Sequence, residues 1–427
     1  MRDSTEHHVI VGGSAAGVAA ALALRDHGFA GRVSVVDAGG ELPYERPPLS
    51  KALLAGEAQF VVPIVPAGVY TERDIDLLLG TRVLALDAAQ RLVVLDDGRT
   101  LRADRVLLAT GARALLPEVS GVQLSGVLTL RDAQDGRELS ARLACGGPVV
   151  VVGGGFIGLE IAAVAREAGL EVTVVEQAPL PLERPLGPEL AARVTGLHAS
   201  QGVSIRCGLS VLEFTGVEAV DGVRLSTGEV LPAATVVVGV GVRPDTTLAE
   251  RAGVACDQGV IVDLQCRTSD PWIFAAGDVA RQPNPHLAGP GRIEHWDNAQ
   301  KQGAVAGAVM AGATDREHTD LPYFYSHQYG RTLQMYGRFA AGDTFVLRAD
   351  ATPDSFLGCW LRDGRVTAAA ALDRPKDLRT VRTLIETAAP VTAAELVSPD
   401  TNLRALAKSA KAFKPPEQSL AAEAGVV

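Results

Sequence analysis

Two glycine-rich turns, each set between a β-branched run and a helix-spaced stretch of small residues, constrain this chain more than any other feature of its sequence. His8-Val9-Ile10-Val11 has the character of a buried parallel strand. Gly12-Gly13-Ser14-Ala15-Ala16-Gly17 follows, and Val18 to His27 carries small and apolar residues at helical spacing. Val33-Ser34-Val35-Val36-Asp37 then reads as a second strand ending in a carboxylate. This is a strand–helix–strand unit with glycines in its first turn. Glycine permits the tight turn and lets a helix N-terminus approach a pyrophosphate, whose charge the free N–H groups and the helix dipole favour. Asp37 is placed to accept hydrogen bonds from a ribose. The middle glycine of G-x-G-x-x-G is Ser14 here, which still allows close approach.

The second copy is complete. Pro148 to Val152 reads as a strand, Gly153-Gly154-Gly155-Phe156-Ile157-Gly158 is a full G-x-G-x-x-G, and Leu159 to Ala168 is the helix. Glu171 to Glu176 is the next strand, again ending in an acid. Two such units in one chain are far more specific than one. Glu176 would pair with a ribose 2′-hydroxyl and repel a 2′-phosphate, which favours NADH over NADPH. Leu180 and Pro181 offer no cation for that phosphate.

Composition narrows the alternatives. The chain has 427 residues, enough for about three domains. Its formal net charge is −10, the wrong sign for bulk nucleic-acid binding. Its 45 glycines suit close backbone approach. Five cysteines, Cys145, Cys207, Cys256, Cys266 and Cys359, form no Cys-x-x-Cys and no zinc-site spacing, so no metal site and no dithiol centre are expected. No uninterrupted run of about 18 apolar residues appears, so no membrane span is expected. The chain reads as soluble and cytoplasmic.

Three further segments read as strands running into turns. Arg105 to Ala112 closes the first unit and Thr235 to Asp245 the second. Trp272 to Val279 ends in Gly277-Asp278 and is expected to enter a helix, where the Asp278 carboxylate could hold a polyol chain and the helix N–H groups a phosphate or flavin carbonyl. Alone, Gly-Asp at a strand end is only a turn. Beyond residue 319, Gln334–Arg338, Thr344–Arg348, Ser355–Leu361 and Arg365–Leu372 read as strands, with Asp363-Gly364 as a hairpin turn. Pro375 to Ala388 has helical spacing. Residues 406–427 read as a flexible tail. His7-His8 reads as a solvent-exposed pair at a frayed start.

At this point the chain resembles the FAD- and NADH-dependent ferredoxin reductases that serve Rieske oxygenases and bacterial cytochromes P450, the putidaredoxin reductase type. The resemblance spans about residues 8 to 405. It rests on Leu42-Pro43-Tyr44-Glu45-Arg46-Pro47-Pro48-Leu49-Ser50-Lys51, Gly153 to Glu160, Ala275 to Ala280, Arg292-Ile293-Glu294-His295-Trp296-Asp297-Asn298-Ala299 and Asp373 to Arg379. It implies an α/β fold of two interleaved Rossmann-like domains plus a C-terminal α+β interface domain. The FAD-binding domain would take 1–113 and 244–318, the NAD(H)-binding domain 114–243, and the C-terminal domain 319–405. By the same resemblance, Gly12, Ser14, Gly17 and Asp37 hold the ADP half of FAD. Arg46 and Lys51 lie along the flavin and its phosphates, and Ala109, Thr110 and Gly111 near the adenylate. Asp278 holds the ribityl or pyrophosphate portion. Glu294, His295 and Trp296 border the pyrimidine edge. Gly153, Gly155, Gly158 and Glu176 bind NADH. Glu160 lies beside the nicotinamide carboxamide, paired with Lys51, and these two are the expected catalytic residues.

The implied reaction is hydride transfer from NADH to FAD, then single electrons to a [2Fe–2S] ferredoxin (or rubredoxin) that feeds an oxygenase. The implied assembly is a monomer or homodimer, away from nucleic acid and membrane. No cysteine occurs from Leu42 to Lys51, where disulfide-reducing relatives carry their thiol. Thiol-based reduction of disulfides or peroxide is therefore rejected. One departure stands out: relatives usually read Pro-Trp-Phe-Trp-Ser-Asp-Gln where this chain has Pro322-Tyr323-Phe324-Tyr325-Ser326-His327-Gln328. Tyr323 and Tyr325 read as aromatic packing, and His327 as a surface residue or a proton donor near pH 7. Asp245 and Gly39 are smaller departures, at positions where relatives carry an asparagine and an acid. Two alternatives follow: a stand-alone flavoprotein oxidase or tailoring reductase using O₂ or an organic acceptor, and an NADH-sensing binding protein resembling apoptosis-inducing factor.

Overall fold

The computed structural model describes residues 6–54, 56, 60–287, 289–352 and 354–413. They divide into two units, Met1–Asp320 with His327–Tyr329, and Leu321–Ser326 with Gly330–Val427.

The first unit repeats one architecture twice. Its first five-stranded sheet runs, edge to edge, Ile273–Ala275, Arg105–Leu108, His7–Val11, Arg32–Val36 and Ile75–Leu78. All its neighbours are parallel, with Ile10 opposite Leu107 on one side and Val35 on the other. The second sheet runs Val127–Leu128, Thr235–Val238, Val149–Val152, Val172–Glu176 and Ser204–Cys207, also fully parallel. In each, the strand that precedes the glycine turn is the middle one. Each half also carries a three-stranded antiparallel sheet, Val83–Asp87 with Leu92–Leu95 and Thr100–Arg102, and Val211–Gly216 with Val220–Leu225 and Val230–Pro232. The middle strands are buried along their whole length, which is why Val9–Val11 and Val149–Val152 read as unbroken Val/Ile runs rather than alternating ones.

Small residues set the packing of the first half. Helix Ala15–Asp26 lies against helix Trp296–Met310. A Cβ on Gly303 would sit 2.2 Å from the Ala16 carbonyl oxygen, and one on Gly307 2.3 Å from that of Ala20. The two glycines and two alanines, each pair four apart, form facing flat stripes that bring the helix backbones into contact. Apolar clusters fill both faces of the first sheet, one around Ile10, Leu24, Val35 and Phe274, the other around Val9, Val93, Val106 and Ile273.

The segment after Ala275 corrects one expectation. Gly277-Asp278 does not enter a helix. It forms a turn, with Gly277 at φ +82°, that runs into the short strand Ala280–Arg281. The next helix begins at Trp296. The expected exposure of His7-His8 is also wrong, because both lie on the middle strand. His7 Nδ1 meets the Arg102 carbonyl and Nε2 the Ser34 hydroxyl, both at 2.9 Å, while the His8 ring stacks on Phe29 at 4.0 Å.

In the second unit, strands Tyr323–Gln328, Arg331–Gly337, Arg365–Leu372, Phe356–Arg362 and Thr344–Leu347 form one sheet in that order. Asp363-Gly364 makes the expected hairpin turn, both residues at positive φ, between Arg362 and Arg365. Helix Pro375–Thr387 buries Leu378, Val381, Leu384 and Ile385. The tail expected from 406 starts too early: Leu403–Ala410 is a helix capped by Asn402, and Phe413 packs on the same core. Residues 414–427 lie outside the described residues.

Buried histidines make stability depend on pH. Burial pushes His8 down to about 3 and His198 to about 4. The unfolded chain protonates them near pH 6.5 and the folded chain does not. Their contribution is therefore complete above about pH 6.5 and is lost as pH falls toward 4. Thermal melts are expected to show a falling midpoint between about pH 7 and pH 5. A level midpoint across that window would contradict the burial of both imidazoles.

Candidate functional site

A cleft of about 940 Å³ opens at the C-terminal ends of the first parallel sheet. This is where an α/β sheet whose middle strand has neighbours leading in opposite directions takes its ligand. Gly12, Ser14, Asp37, Arg46, Ala109 and Thr110 line it. Gly12, at φ +111°, ends the middle strand, and a Cβ there would lie 2.2 Å from the Ala109 carbonyl oxygen. A Cβ on Gly17 would lie 1.9 Å from the Gly12 carbonyl oxygen. These contacts fold the turn tightly and point the first N–H groups of helix Ala15–Asp26 outward. Ser14 is the extended N-cap, its hydroxyl makes no capping bond, and the first turn holds no acid. Asp37 accepts the Gly13 N–H at one oxygen and the Gly39 N–H at the other, the latter at 2.6 Å.

The second turn is built the same way. Gly153, at φ +103°, would place a Cβ 2.5 Å from the Gly239 carbonyl oxygen, and Gly158 one 2.2 Å from that of Gly153. Gly155 is the N-cap of helix Phe156–Glu167. Glu176 accepts the Gly154 N–H at 2.6 Å and the Ala178 N–H at 2.7 Å. In both halves the strand-end acid therefore holds the turn and keeps a lone pair on each oxygen for a ligand hydroxyl.

Several wall residues carry charge. Arg131 donates to Asp278 Oδ2 at 2.7 Å and to the Ala112 carbonyl at 2.8 Å. Arg46 stands close enough to Arg131 that, after burial, this second guanidinium does most to push its pKa down. Gly111 turns the chain at φ +70°, with the Arg131 guanidinium at ordinary contact distance, 3.6 Å from where its Cβ would be. The Thr110 hydroxyl donates to the Asp245 carbonyl at 2.8 Å. Lys51, Asp278, Glu294, His295 and Trp296 are not on the walls of this cleft. Asp278 reaches it through Arg131. The Asp278 carbonyl accepts from Arg292, which pairs with Glu294 at 2.7 Å. His295 is the extended N-cap of the helix that Trp296 begins.

The two halves meet at a charge pair. Lys51 ends the short helix Pro48–Lys51, and its Nζ lies 2.8 Å from Glu160 Oε2, which also accepts the Ser50 hydroxyl. Lys51 donates in addition to the Pro47 carbonyl at 3.1 Å. Glu160 is buried on helix Phe156–Glu167, and its Oε1 accepts the His327 N–H at 3.3 Å. The His327 imidazole is exposed, and its pKa is lowered by partial desolvation and then by Lys51, against the pull of Glu160. That shift favours the neutral imidazole and works against His327 as a proton donor near pH 7. Tyr323 and Tyr325 face each other at 6.2 Å between ring centroids, and Tyr323 packs on Tyr336 at 4.7 Å.

Four contributors were not singled out from sequence. Ser50 lay inside a motif but had no role of its own. Arg131 stands far from every motif. Gln302 accepts the buried Gly277 N–H at 2.8 Å, and Asn298 donates to the Ile293 carbonyl at 3.1 Å while meeting His318 at 2.8 Å. The signal that could have found the last two is a buried amide on the inward face of an Ala/Gly helix. Among the described residues no His/Cys/Asp/Glu group could hold a metal, and no helix is long and apolar enough to cross a membrane.

The family model described as pyridine nucleotide-disulphide oxidoreductase matches residues 6–303, and one described as reductase C-terminal matches 323–407. The chain belongs to the pyridine nucleotide-disulphide oxidoreductases. It is similar to the ferredoxin reductase component of chlorobenzene dioxygenase from Cupriavidus sp. (strain PS12), 37% identical over 405 residues that cover 94% of this chain and 98% of the relative. It is 40% identical over 409 residues to the ferredoxin–NAD(+) reductase component of the anthranilate 1,2-dioxygenase system of Burkholderia cepacia, covering 94% and 99%. Among solved structures it resembles the covalent putidaredoxin reductase–putidaredoxin complex, with a TM-score of 0.91, 33% identity, and coverage of 96% of this chain and 100% of that one. The expected fold class stands, and the chain is an oxidoreductase. The buried thiols of Cys266 and Cys359 are pushed up, Cys359 to about 12, so neither is poised as a thiolate.

The charge pair should respond asymmetrically to substitution. Lys51→Met leaves the more deeply buried Glu160 without its cation and is expected to cost about 3 kcal/mol. Glu160→Gln leaves Lys51 its contact with Pro47 and should cost less than half as much. Urea unfolding of the two variants measures this, and a larger cost for Glu160→Gln would contradict the geometry.

Proposed function

We propose that this oxidoreductase takes hydride from NADH onto bound FAD and passes the electrons one at a time to a [2Fe–2S] ferredoxin that feeds an oxygenase. The observation that carries the reading is the Lys51–Glu160 pair, which links the two glycine-turn halves through helices Pro48–Lys51 and Phe156–Glu167, in a stretch from Leu42 to Lys51 that holds no cysteine.

The residues fit FAD. The first cleft offers a turn that no side chain could occupy, an uncapped helix start without acids, and six guanidiniums, of Arg46, Arg82, Arg113, Arg131, Arg137 and Arg251, against four carboxylates, of Asp37, Glu41, Asp132 and Asp245. That surplus positive charge suits a pyrophosphate. We assign 1–113 and 244–318 to FAD, 114–243 to NAD(H) and 319–405 to the C-terminal domain. When bound, FAD supplies a ring that accepts an electron pair at once and releases electrons singly.

The chain itself supplies position and field. Gly12, Ser14 and Gly17 shape the turn whose N–H groups meet the phosphates, and Asp37 takes the ribose hydroxyls. Arg46 offsets phosphate charge, with Arg131 as an added contributor. Ala109, Thr110 and Gly111 close the adenylate side. Asp278, held by Arg131, faces the polyol, and Glu294, His295 and Trp296 present the start of a helix to the ring edge. Gly153, Gly155 and Gly158 form the second turn, and Glu176 selects NADH by accepting from a 2′-hydroxyl. Lys51 holds a cation where negative charge accumulates on reduction, and Glu160 fixes that cation while excluding water from its buried side.

The partner is a ferredoxin, or a rubredoxin in its place, rather than nucleic acid or a membrane, and the working form is a monomer or homodimer in the cytoplasm. A second reading, a stand-alone flavoprotein oxidase or tailoring reductase using O₂ or an organic acceptor, has one observation in its favour: the departure of Tyr323, Tyr325 and His327 from the residues usual in relatives.

Stopped-flow mixing with NADH, followed by cytochrome c reduction with and without added [2Fe–2S] ferredoxin, tests the choice. Fast cytochrome c reduction only with the ferredoxin is expected. NADH consumption as fast without any protein partner would support the second reading instead.

A further inference from the structure

Glu160 has two oxygens with separate duties. One holds Lys51 and Ser50, and the other receives the backbone N–H of His327. A group outside every motif contacts the two residues that follow it. His198, fully buried near the end of helix Glu183–Ser200, meets Gln328 and Tyr329, the two residues after His327. Its Nε2 lies 2.8 Å from Gln328 Oε1, and its Nδ1 lies 3.0 Å from the Tyr329 hydroxyl.

The chemistry of these contacts leaves one arrangement. An amide oxygen only accepts, so Nε2 carries the proton and donates to Gln328. Nδ1 is then bare and accepts from the Tyr329 hydroxyl. Burial keeps the imidazole neutral, holding its pKa down at about 4, and keeps the Tyr329 phenol protonated by raising its pKa. The ring also packs edge-on against Tyr329, at 5.0 Å between centroids. Tyr329 at φ +54° and Gly330 at φ +67° form the two-residue hairpin turn between strands Tyr323–Gln328 and Arg331–Gly337. The clamp grips the start of this turn, and the residue two positions before Tyr329 is the one whose N–H reaches Glu160.

We propose that His198 is a positioning residue for the reaction: by clamping Gln328 and Tyr329 it holds the His327 N–H on Glu160, and so sets the carboxylate that faces the nicotinamide and anchors Lys51. The inference rests on the reading of Glu160 as the acid beside NAD(H). His198 touches neither cofactor nor substrate, and its effect passes through one backbone N–H.

The test uses the FAD-loaded full chain and NAD⁺ binding followed by difference absorbance, with Glu160→Gln, His198→Phe, Tyr329→Phe and the double variant His198→Phe/Glu160→Gln. Tyr329→Phe removes only a hydroxyl and keeps the test open should His198→Phe fold poorly. Glu160→Gln is expected to raise the NAD⁺ dissociation constant about tenfold, and His198→Phe and Tyr329→Phe to raise it roughly threefold to fivefold. The double variant should bind no worse than Glu160→Gln alone, because both changes disable one carboxylate. A purely structural loss at His198 would multiply with the effect of Glu160→Gln instead, and that result overturns the proposal. So does unchanged binding in both clamp variants when Glu160→Gln alone weakens it. If Glu160→Gln itself leaves binding unchanged, the assignment of Glu160 to NAD(H) falls, and the clamp's role falls with it.

Discussion

Each half of the first unit is organised by a backbone carbonyl pressed into the space where a side chain would begin. The Ala109 carbonyl lies against Gly12 and the Gly239 carbonyl against Gly153, both nearer than any Cβ would allow. That approach lets the middle strand end flush with its neighbour, turns the chain at once into a helix, and leaves the first N–H groups of that helix without side-chain cover. The strand-end acids Asp37 and Glu176 then lock the turn from the other side through the N–H groups of Gly13 and Gly154. An anion at such a turn is met by backbone dipoles that need no rearrangement, which is how a cofactor is bound tightly and held still. Remove the glycine and both the turn and the cleft behind it are lost.

Two such halves would be two separate binding modules without the contact between them. Helix Pro48–Lys51 brings a cation, helix Phe156–Glu167 a buried carboxylate, and they meet at 2.8 Å. Burying a carboxylate is costly unless it is paired and hydrogen-bonded. Glu160 accepts from Lys51, Ser50 and the His327 N–H, so that cost is offset, and the pair is fixed rather than mobile. A fixed cation is what a site for two-electron reduction needs, since the field must already be present when charge arrives.

The features carried by local pattern were readable from sequence. Both strand–turn–helix units, the acids that end their second strands, and the Asp363-Gly364 hairpin all appear where the periodicity and turn chemistry place them. Features made by distant residues were not. Arg131 reaches Asp278, Gln302 reaches Gly277 and His198 reaches Gln328, and no spacing along the chain announces any of these. The helix expected after Asp278 is absent because the chain turns at Gly277, φ +82°, and runs on to pair with Val260-Ile261. His7-His8 misled because a polar pair near the start of a chain resembles a frayed end, whereas here one ring is satisfied by Ser34 and Arg102 and the other is stacked on Phe29. The early start given to the tail missed the amphipathic face of Leu403, Ala407 and Ala410, whose alanines read as low complexity.

On the proposed function, the two glycine turns hold different dinucleotides in series. The visible absorption spectrum of purified Gly12→Ala and Gly153→Ala, taken before and after anaerobic addition of NADH and set beside the parent protein, tests it most directly. Gly12→Ala should emerge folded but without flavin colour, while Gly153→Ala should be as yellow as the parent and fail to bleach with NADH. If both variants are yellow and bleach as readily as the parent, the two turns are not the dinucleotide sites.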